Sequence, residues 1–303
     1  MELRQLRHFL AVIDGGSLGD AARRLHVSQP SLTKSIQSLE KSIGGALFER
    51  SIQGMKPTAL GRGLETRARV IAGEVSRAKR EIGELLSAQR GRVVVGSGPS
   101  FAHGVLPRAL TRFHASHPGI QVTVVDGFTR DLLPLVKTGE IDYAFFSPPD
   151  GLAEDELTSE VLLPGQNVSV VTTPNNPLAG KRHVTAKEVW NQPWTLPSHP
   201  DYYRAKLDAR FQELGLPPPQ PVIEHNSIFT AKSILRDGNF VTIFIDMLIE
   251  DEIKRKDLRV VRVPELTWKV NHSAIYRRGI PLPAAAQKLL DEIRTVCAER
   301  RSR

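Results

Sequence analysis

The chain has 303 residues, 40% hydrophobic and 24% charged, enough for about two domains with a sizeable core and ordinary for a soluble globular protein. Its formal net charge of +8 suits a polyanionic partner without naming one. No apolar run approaches the ~20 residues of a membrane helix, and the start MELRQLRHFLAVIDGG, broken by charge, shows no signal-peptide cleavage pattern. The single cysteine, Cys297, excludes an intramolecular disulfide and a cysteine-clustered metal site, which fits a reducing cytoplasm.

Leu6, Phe9, Leu10 and Ile13 recur at helical spacing, and Gly15-Gly16 ends the helix they predict. Ser17 is placed to cap a second helix, with Asp20 at the position of a weak capping box. That helix ends near Leu25-His26, and Val27 packs inward. Ser28 caps a third helix with Pro30 in its first turn, where a missing N–H does no harm. In this third helix Leu32, Ile36 and Leu39 share one face, while Gln29, Thr33, Lys34 and Gln37 project from the other.

Two short helices, a tight turn and a polar outer ridge predict a helix-turn-helix whose second helix enters the major groove. Ser28, Gln29, Ser31, Thr33 and Gln37 are the candidates for hydrogen bonds to bases or phosphates, and Lys34 for a phosphate clamp. The bland alternative is a solvated face in a small helical domain. The next stretch, LFERSIQGMKPTALG, weighs against it: Leu47-Phe48 is an apolar anchor, and Gly54 and Lys56 lie in a short hairpin or wing. Arg50 and Lys56 would flank the groove and neutralise phosphates.

These stretches together resemble the LysR-type transcriptional regulators, and MELRQLRHFLAVIDGGSLGDAARRLHVSQPSLTKSIQSLEKSIGGALFER is similar to that family's N-terminal signature almost position by position. The departures are Gly19 and Asp20, where the family more often has larger or basic residues, and the KPT-ALG end of the wing. The resemblance implies a homodimer assembling to a homotetramer that bends double-stranded promoter DNA, responds to a small-molecule inducer, and has RNA polymerase as a further partner.

After Thr58, a candidate N-cap, Leu64, Ala68, Ile71, Val75, Ala78, Ile82 and Leu85 alternate in steps of four and three. Such a heptad seam is expected of a helix that pairs with another helix; in the resembled family this segment is the dimerising linker. The alternative is a long surface helix packed on its own domain.

From Gly91 onward β-branched runs alternate with helical patterns: RVVVGSG, LPRALTRFHASHP, IQVTVVDG, TRDLLPLVKTGE, IDYAFFS, VSVVTTP and so on to a final helix at about 283–299. The alternation predicts an α/β domain with a mainly parallel sheet. This part resembles the family's effector-binding domain, itself similar to periplasmic solute-binding proteins, most clearly in KTGEIDYAFF. The expected architecture is therefore α+β multidomain: a winged helix-turn-helix (1–60), a linker helix (61–90) and a two-subdomain effector domain (91–303), divided as about 91–163 plus 267–303 and about 164–266.

In such a fold ligands bind beyond the carboxyl ends of strands. Ser100 and Phe101 lie in the loop after the first strand of this part, Thr129 after the second; Ser198 and His199 close another strand, and Phe244 ends one. Matched onto the family, Ser100, Thr129, Ser198, His199 and Phe244 are the best cleft residues, with Ser100 offering a hydroxyl to a ligand carboxylate. HPDYYR, after Ser198, makes the cleft larger and more aromatic than usual for the family.

Catalysis has little footing. The nine histidines are scattered, His114 and His117 read as a helix-end pair, and no GxSxG, HExxH or P-loop pattern is present. No metal or cofactor is expected, and Cys297 is expected half buried on the last helix, unable to form a two-cysteine switch within one chain. The competing reading is a solute-binding protein or enzyme on the same α/β domain, with a merely dimerising N-terminal region.

Overall fold

Local capping and amphipathic spacing build the first three helices. The structure, a computed structural model, describes residues 1–51, 54–86, 91–149 and 155–302. Helix α1 (Leu3–Gly15) buries Leu6, Phe9, Leu10 and Val12 and stops at Gly16, whose φ of 64° closes the last turn. The Ser17 hydroxyl oxygen accepts the Asp20 N–H at 3.1 Å and starts α2 (Leu18–Leu25). His26 ends α2 with φ 55°, a left-handed conformation that histidine enters more readily than most side chains. The chain then turns through Ser28, which caps α3 (Gln29–Ile43) by accepting the Ser31 N–H. Leu32, Ile36 and Leu39 of α3 join Leu6, Phe9 and Leu10 of α1 in one small core.

Strands β1 (Phe48–Ser51) and β2 (Gly54–Pro57) pair antiparallel as the wing. The Met55 N–H donates to the Gly16 carbonyl at 2.9 Å, which seats β2 on the α1–α2 turn. A Cβ on Gly54 would lie 2.5 Å from that same oxygen, and its φ of 112° is one that side chains rarely adopt, so glycine is required there.

Thr58 then caps α4 (Ala59–Leu86): its hydroxyl donates to the Ala46 carbonyl at 2.8 Å and accepts the Gly61 N–H at 3.1 Å. At 28 residues α4 is about 42 Å long. The heptad seam divides along it. Ala68 is buried, with Leu64 and Ile71 packed against the small core, whereas Ala78 and Ile82 face solvent. The N-terminal half of the expected pairing face is therefore occupied within the chain, because α4 crosses α1 directly after the wing; Leu85's side chain lies outside the described residues.

The remaining elements are β3 (Arg92–Ser97), α5 (Pro99–Gly104), α6 (Leu106–Ser116), β4 (Gln121–Asp126), α7 (Thr129–Thr138), β5 (Tyr143–Phe146), β6 (Leu157–Thr172), α8 (Ala186–Trp190), β7 (Trp194–Pro197), α9 (Tyr202–Glu213), β8 (Pro221–His225), α10 (Ile228–Asp237), β9 (Val241–Ile245), α11 (Glu250–Arg255), β10 (Arg259–Val261), β11 (Trp268–Arg277) and α12 (Ala284–Arg301). They form a nine-stranded sheet in the order β4-β3-β5-β11-β6-β9-β7-β8, with β10 on β6.

The expectation of a mainly parallel sheet needs correction. Strands β4-β3-β5 and β9-β7-β8 are two parallel groups, but β6 and β11 run antiparallel to each other and to the strands they join. The first half of β6 escaped sequence analysis because Pro164-Gly165, with Gly165 at φ 66°, reads as a loop inside a continuous strand.

The second half of α4 lies along this domain. Arg80 meets Asp142 at 2.8 Å, and the same carboxylate accepts the Val94 N–H at 2.8 Å. Glu74 pairs with Arg277, Arg77 donates to the Pro281 carbonyl, and Gly73 touches the end of α7. Burial pushes the Asp142 carboxyl above its usual range, against the pull of the Val94 N–H and Arg80.

Candidate functional site

Two regions gather the candidate residues. Ser28, which caps α3, and Gln29, Ser31, Lys34 and Gln37 on it are all exposed along one ridge, opposite the buried Leu32, Ile36 and Leu39. Thr33 is half-buried, and its hydroxyl donates to the Gln29 carbonyl at 2.9 Å, so that proton is engaged with the helix's own backbone. Lys56 is exposed on β2; the side chain of Arg50 lies outside the described residues.

Sequence reasoning passed over Arg23 and Arg24, both exposed in the last turn of α2. Arg23 pairs with Asp20, one of the family departures, whose carboxyl is held below its usual range first by the Ser17 hydroxyl and then by Arg23. The adjacent arginines were the available signal. The departure thus lowers the free positive charge beside the ridge.

The second region is a cavity of about 480 Å³ at the carboxyl ends of both parallel groups of strands. Ser100, Thr129, Ser198, His199 and Phe244 all line it. Phe101 does not. It is fully buried and stacks on Phe145 with ring centroids 4.4 Å apart, because adjacent residues on a helical turn point about 100° apart and Ser100 takes the cavity side. The walls are largely aromatic and aliphatic, including Phe128, Phe146, Tyr202, Tyr203 and Ile243. The two tyrosines of HPDYYR meet edge to face at 5.3 Å, and burial raises the Tyr203 hydroxyl above its ordinary range.

The polar lining is mostly hydroxyl and amide side chains, among them Ser100, Thr129, Ser147, Ser198, Asn226 and Ser227, with Arg130, His199, Asp201 and His225 beside them. His199 is half exposed, with Nε2 3.4 Å from the Asp208 carboxylate. Arg130 donates to the Pro200 carbonyl at 3.0 Å, linking the start of α7 to the loop before α9. His225 Nε2 is buried and meets no protein partner among the described residues, and burial lowers its basicity.

Ser100 Oγ lies 2.5 Å from Nε2 of His272, which is fully buried on β11. Burial first, then Arg300, lowers His272 to about 4, so the ring is neutral near pH 7. Neither His272 nor Arg130 was singled out from sequence. His272 sits in an ordinary strand pattern, and only the three-dimensional register brings it to Ser100.

Cys297 is fully rather than half buried, and burial pushes its thiol up to about 12. His117 stacks on Phe113 at 4.7 Å at the end of α6. Among the described residues no group of three His, Cys, Asp or Glu side chains could hold a metal ion, and no helix is long and apolar enough to cross a membrane.

Two family models match the chain: the bacterial regulatory helix-turn-helix protein of the lysR family over residues 3–62, and the LysR substrate binding domain over residues 87–298. The chain belongs to the LysR family. This LysR-family chain is 31% identical over 247 residues to the small neutral protease regulatory protein of Streptomyces coelicolor, spanning 80% of its own length and 73% of that protein. It is 29% identical over 264 residues to the HTH-type transcriptional regulator YdcI of Escherichia coli, 87% of this chain and 85% of that one. The fold is that of CbnR, a LysR family transcriptional regulator, with a TM-score of 0.68 at 22% identity over 98% of this chain and 99% of that chain. A second CbnR structure, complexed with its target DNA, matches with a TM-score of 0.67 at 22% identity, over 98% and 100% of the two chains. The LysR-family protein is a DNA-binding transcriptional regulator with an effector-binding domain.

Proposed function

We propose that the protein reads a dyad-symmetric promoter site and that a small-molecule inducer in the 480 Å³ cavity controls this binding. In this reading residues 1–60 bind DNA, 61–90 link and dimerise, and 91–303 bind the effector between two subdomains, about 91–163 plus 267–303 and about 164–266. Gln29 and Ser31 contact bases or phosphates from the exposed ridge; Ser28, Thr33 and Gln37 supply further contacts, while Lys34, Arg50 and Lys56 neutralise phosphates. Ser100, Thr129, Ser198, His199 and Phe244 contact the effector, which acts without catalysis in a cytoplasmic homotetramer of two dimers.

The observation that carries the reading is the cavity itself: five of the six residues chosen from strand-end logic line one space formed by both parallel groups. An effector there shifts DNA binding only by its differential affinity for two arrangements of the assembly, typically 1–3 kcal/mol or about 5–150-fold. CbnR, seen with its target DNA, is the structural precedent.

The test is a gel shift of the full chain on its own upstream DNA, with and without compounds that raise its thermal stability. We expect saturable, sequence-preferring binding at moderate salt and a several-fold change with a stabilising compound. Equal affinity for upstream and random DNA would refute the promoter reading. Stabilising compounds that leave operator affinity unchanged would refute effector control.

A further inference from the structure

We propose that His272 donates its Nε2–H to the Ser100 oxygen, so that Ser100 keeps its proton for a ligand whose buried end is a neutral hydrogen-bond acceptor on a largely apolar body. The proposal rests on reading the cavity as an effector site, and it names the chemistry of that effector.

A strand irregularity sets the direction of His272. Along β11 burial alternates from Trp268 to Asn271, and then His272, Ser273, Ala274 and Ile275 are buried in succession. The register against β6 shifts on both sides of His272. Such a bulge re-aims a side chain, and here the imidazole reaches Ser100 at 2.5 Å.

The tautomer follows from what the other ring nitrogen meets. Nδ1 of His272 is buried and has no partner among the described residues. A proton on Nδ1 would leave a buried N–H donor unmet; a proton on Nε2 leaves only a lone pair unmet. Orphaned buried N–H groups are the rarer and costlier defect, so Nε2 carries the hydrogen. Burial and Arg300 disfavour the doubly protonated ring. A serine hydroxyl has one proton and two lone pairs. With one lone pair taken by His272, the proton remains for the cavity that Ser100 lines.

The ligand's charge follows from the lining. Arg130 is its single Lys or Arg among the described residues; it is half exposed and already engaged with the Pro200 carbonyl and, at 3.6 Å, with Asp131. Asp201 adds negative charge, and burial favours the neutral form of His225. A carboxylate at Ser100 would exchange its water for neutral donors, the hydroxyls of Ser100, Thr129, Ser147 and Ser198, in a cavity also walled by Phe128, Phe146, Val168 and Phe244, and a buried charge held by neutral groups alone is costly. An ester, ketone or amide carbonyl loses far less water and gains the same bond.

The experiment uses the full chain with ¹⁵N-labelled histidine and methyl benzoate and benzoate as matched probes. His272→Gln identifies the His272 ring signals. We expect an Nε2–H pattern that persists to mildly acidic pH, and a methyl benzoate shift of that signal that is absent in Ser100→Ala. Methyl benzoate should bind at least about tenfold more tightly than benzoate. Ser100→Ala should cost about five- to tenfold in methyl benzoate affinity, the worth of one hydrogen bond. His272→Gln, which keeps an N–H donor, should bind it better than His272→Leu. An Nδ1–H pattern overturns the orienting role; tighter benzoate binding, or no methyl benzoate binding at millimolar concentration, overturns the ligand class. Effector control fails on a separate measurement, the operator gel shift, which these ring signals do not enter.

Discussion

A Cβ on Gly73 of α4 would stand 1.9 Å from the carbonyl oxygen of Thr138 at the end of α7, so the linker helix and the effector domain meet backbone to backbone. In an exposed helix, replacing glycine by alanine stabilises by about 1 kcal/mol. Here the new methyl cannot fit unless one backbone moves, and overpacking costs about 1–3 kcal/mol. Gly73→Ala should therefore destabilise the chain by about 1–2 kcal/mol and lift α4 from α7, read by chemical denaturation and by faster proteolysis within α4. A more stable variant would show that α4 does not rest there.

The ridge on α3 and the wing should fail differently when mutated. Gln29 is exposed on α3; in the proposed reading its amide meets a base edge, where a good bidentate contact is worth about 1–3 kcal/mol of discrimination. Gln29→Ala should flatten the preference between operator variants. Lys56→Ala should weaken all sequences about equally and lower the salt slope by about one. Titrations on several operators at several salt concentrations separate the two; identical behaviour would remove the distinction between reader and clamp.

Ile82 is 57% exposed at the far end of α4, on the seam that Leu64, Ala68 and Ile71 begin. Covering an isoleucine yields about 1.5–3 kcal/mol. Ile82→Glu should weaken dimerisation at least about tenfold with little effect on thermal unfolding of the monomer. Sedimentation at graded concentrations measures this, and an unchanged dimer would place the interface elsewhere.

His272 gives a pH signature. Its folded value of about 4 lies below the ordinary 6.5, so below pH 6.5 the unfolded chain takes up a proton that the folded chain refuses. Stability from this group is complete above the unfolded value and is lost as pH falls toward 4, by up to about 3 kcal/mol. His272→Gln lacks this loss. Urea unfolding of both proteins from neutral pH down to 4 should show the native chain's advantage shrinking; a constant difference would mean that His272 titrates normally when folded.

The first three helices were legible because their signals are local: Leu32, Ile36 and Leu39 repeat at helical spacing, and Ser17 and Ser28 cap within three residues. The cavity was legible by strand ends but not by side chain. Ser100 and Phe101 looked alike in sequence, and only the packing of Phe145 separates cavity from core. His272 was not legible at all, since it stands 172 residues from Ser100 and owes its direction to a bulge. The seam on α4 was legible as a pattern, but period alone does not say whether a face meets its own domain or another chain. Pro164-Gly165 concealed half of β6 because both residues ordinarily mark turns.

Helix α7 has its two ends in different company. Phe128 and Thr129 at its start line the cavity, while Thr138 at its finish presses on Gly73 some 15 Å away. Midway sits Pro134, which lacks the N–H that would tie it to the preceding turn. A force on the first turn thus has two routes: the rod tips as a whole and levers the DNA-binding arm, or it flexes at the proline and leaves that arm where it was.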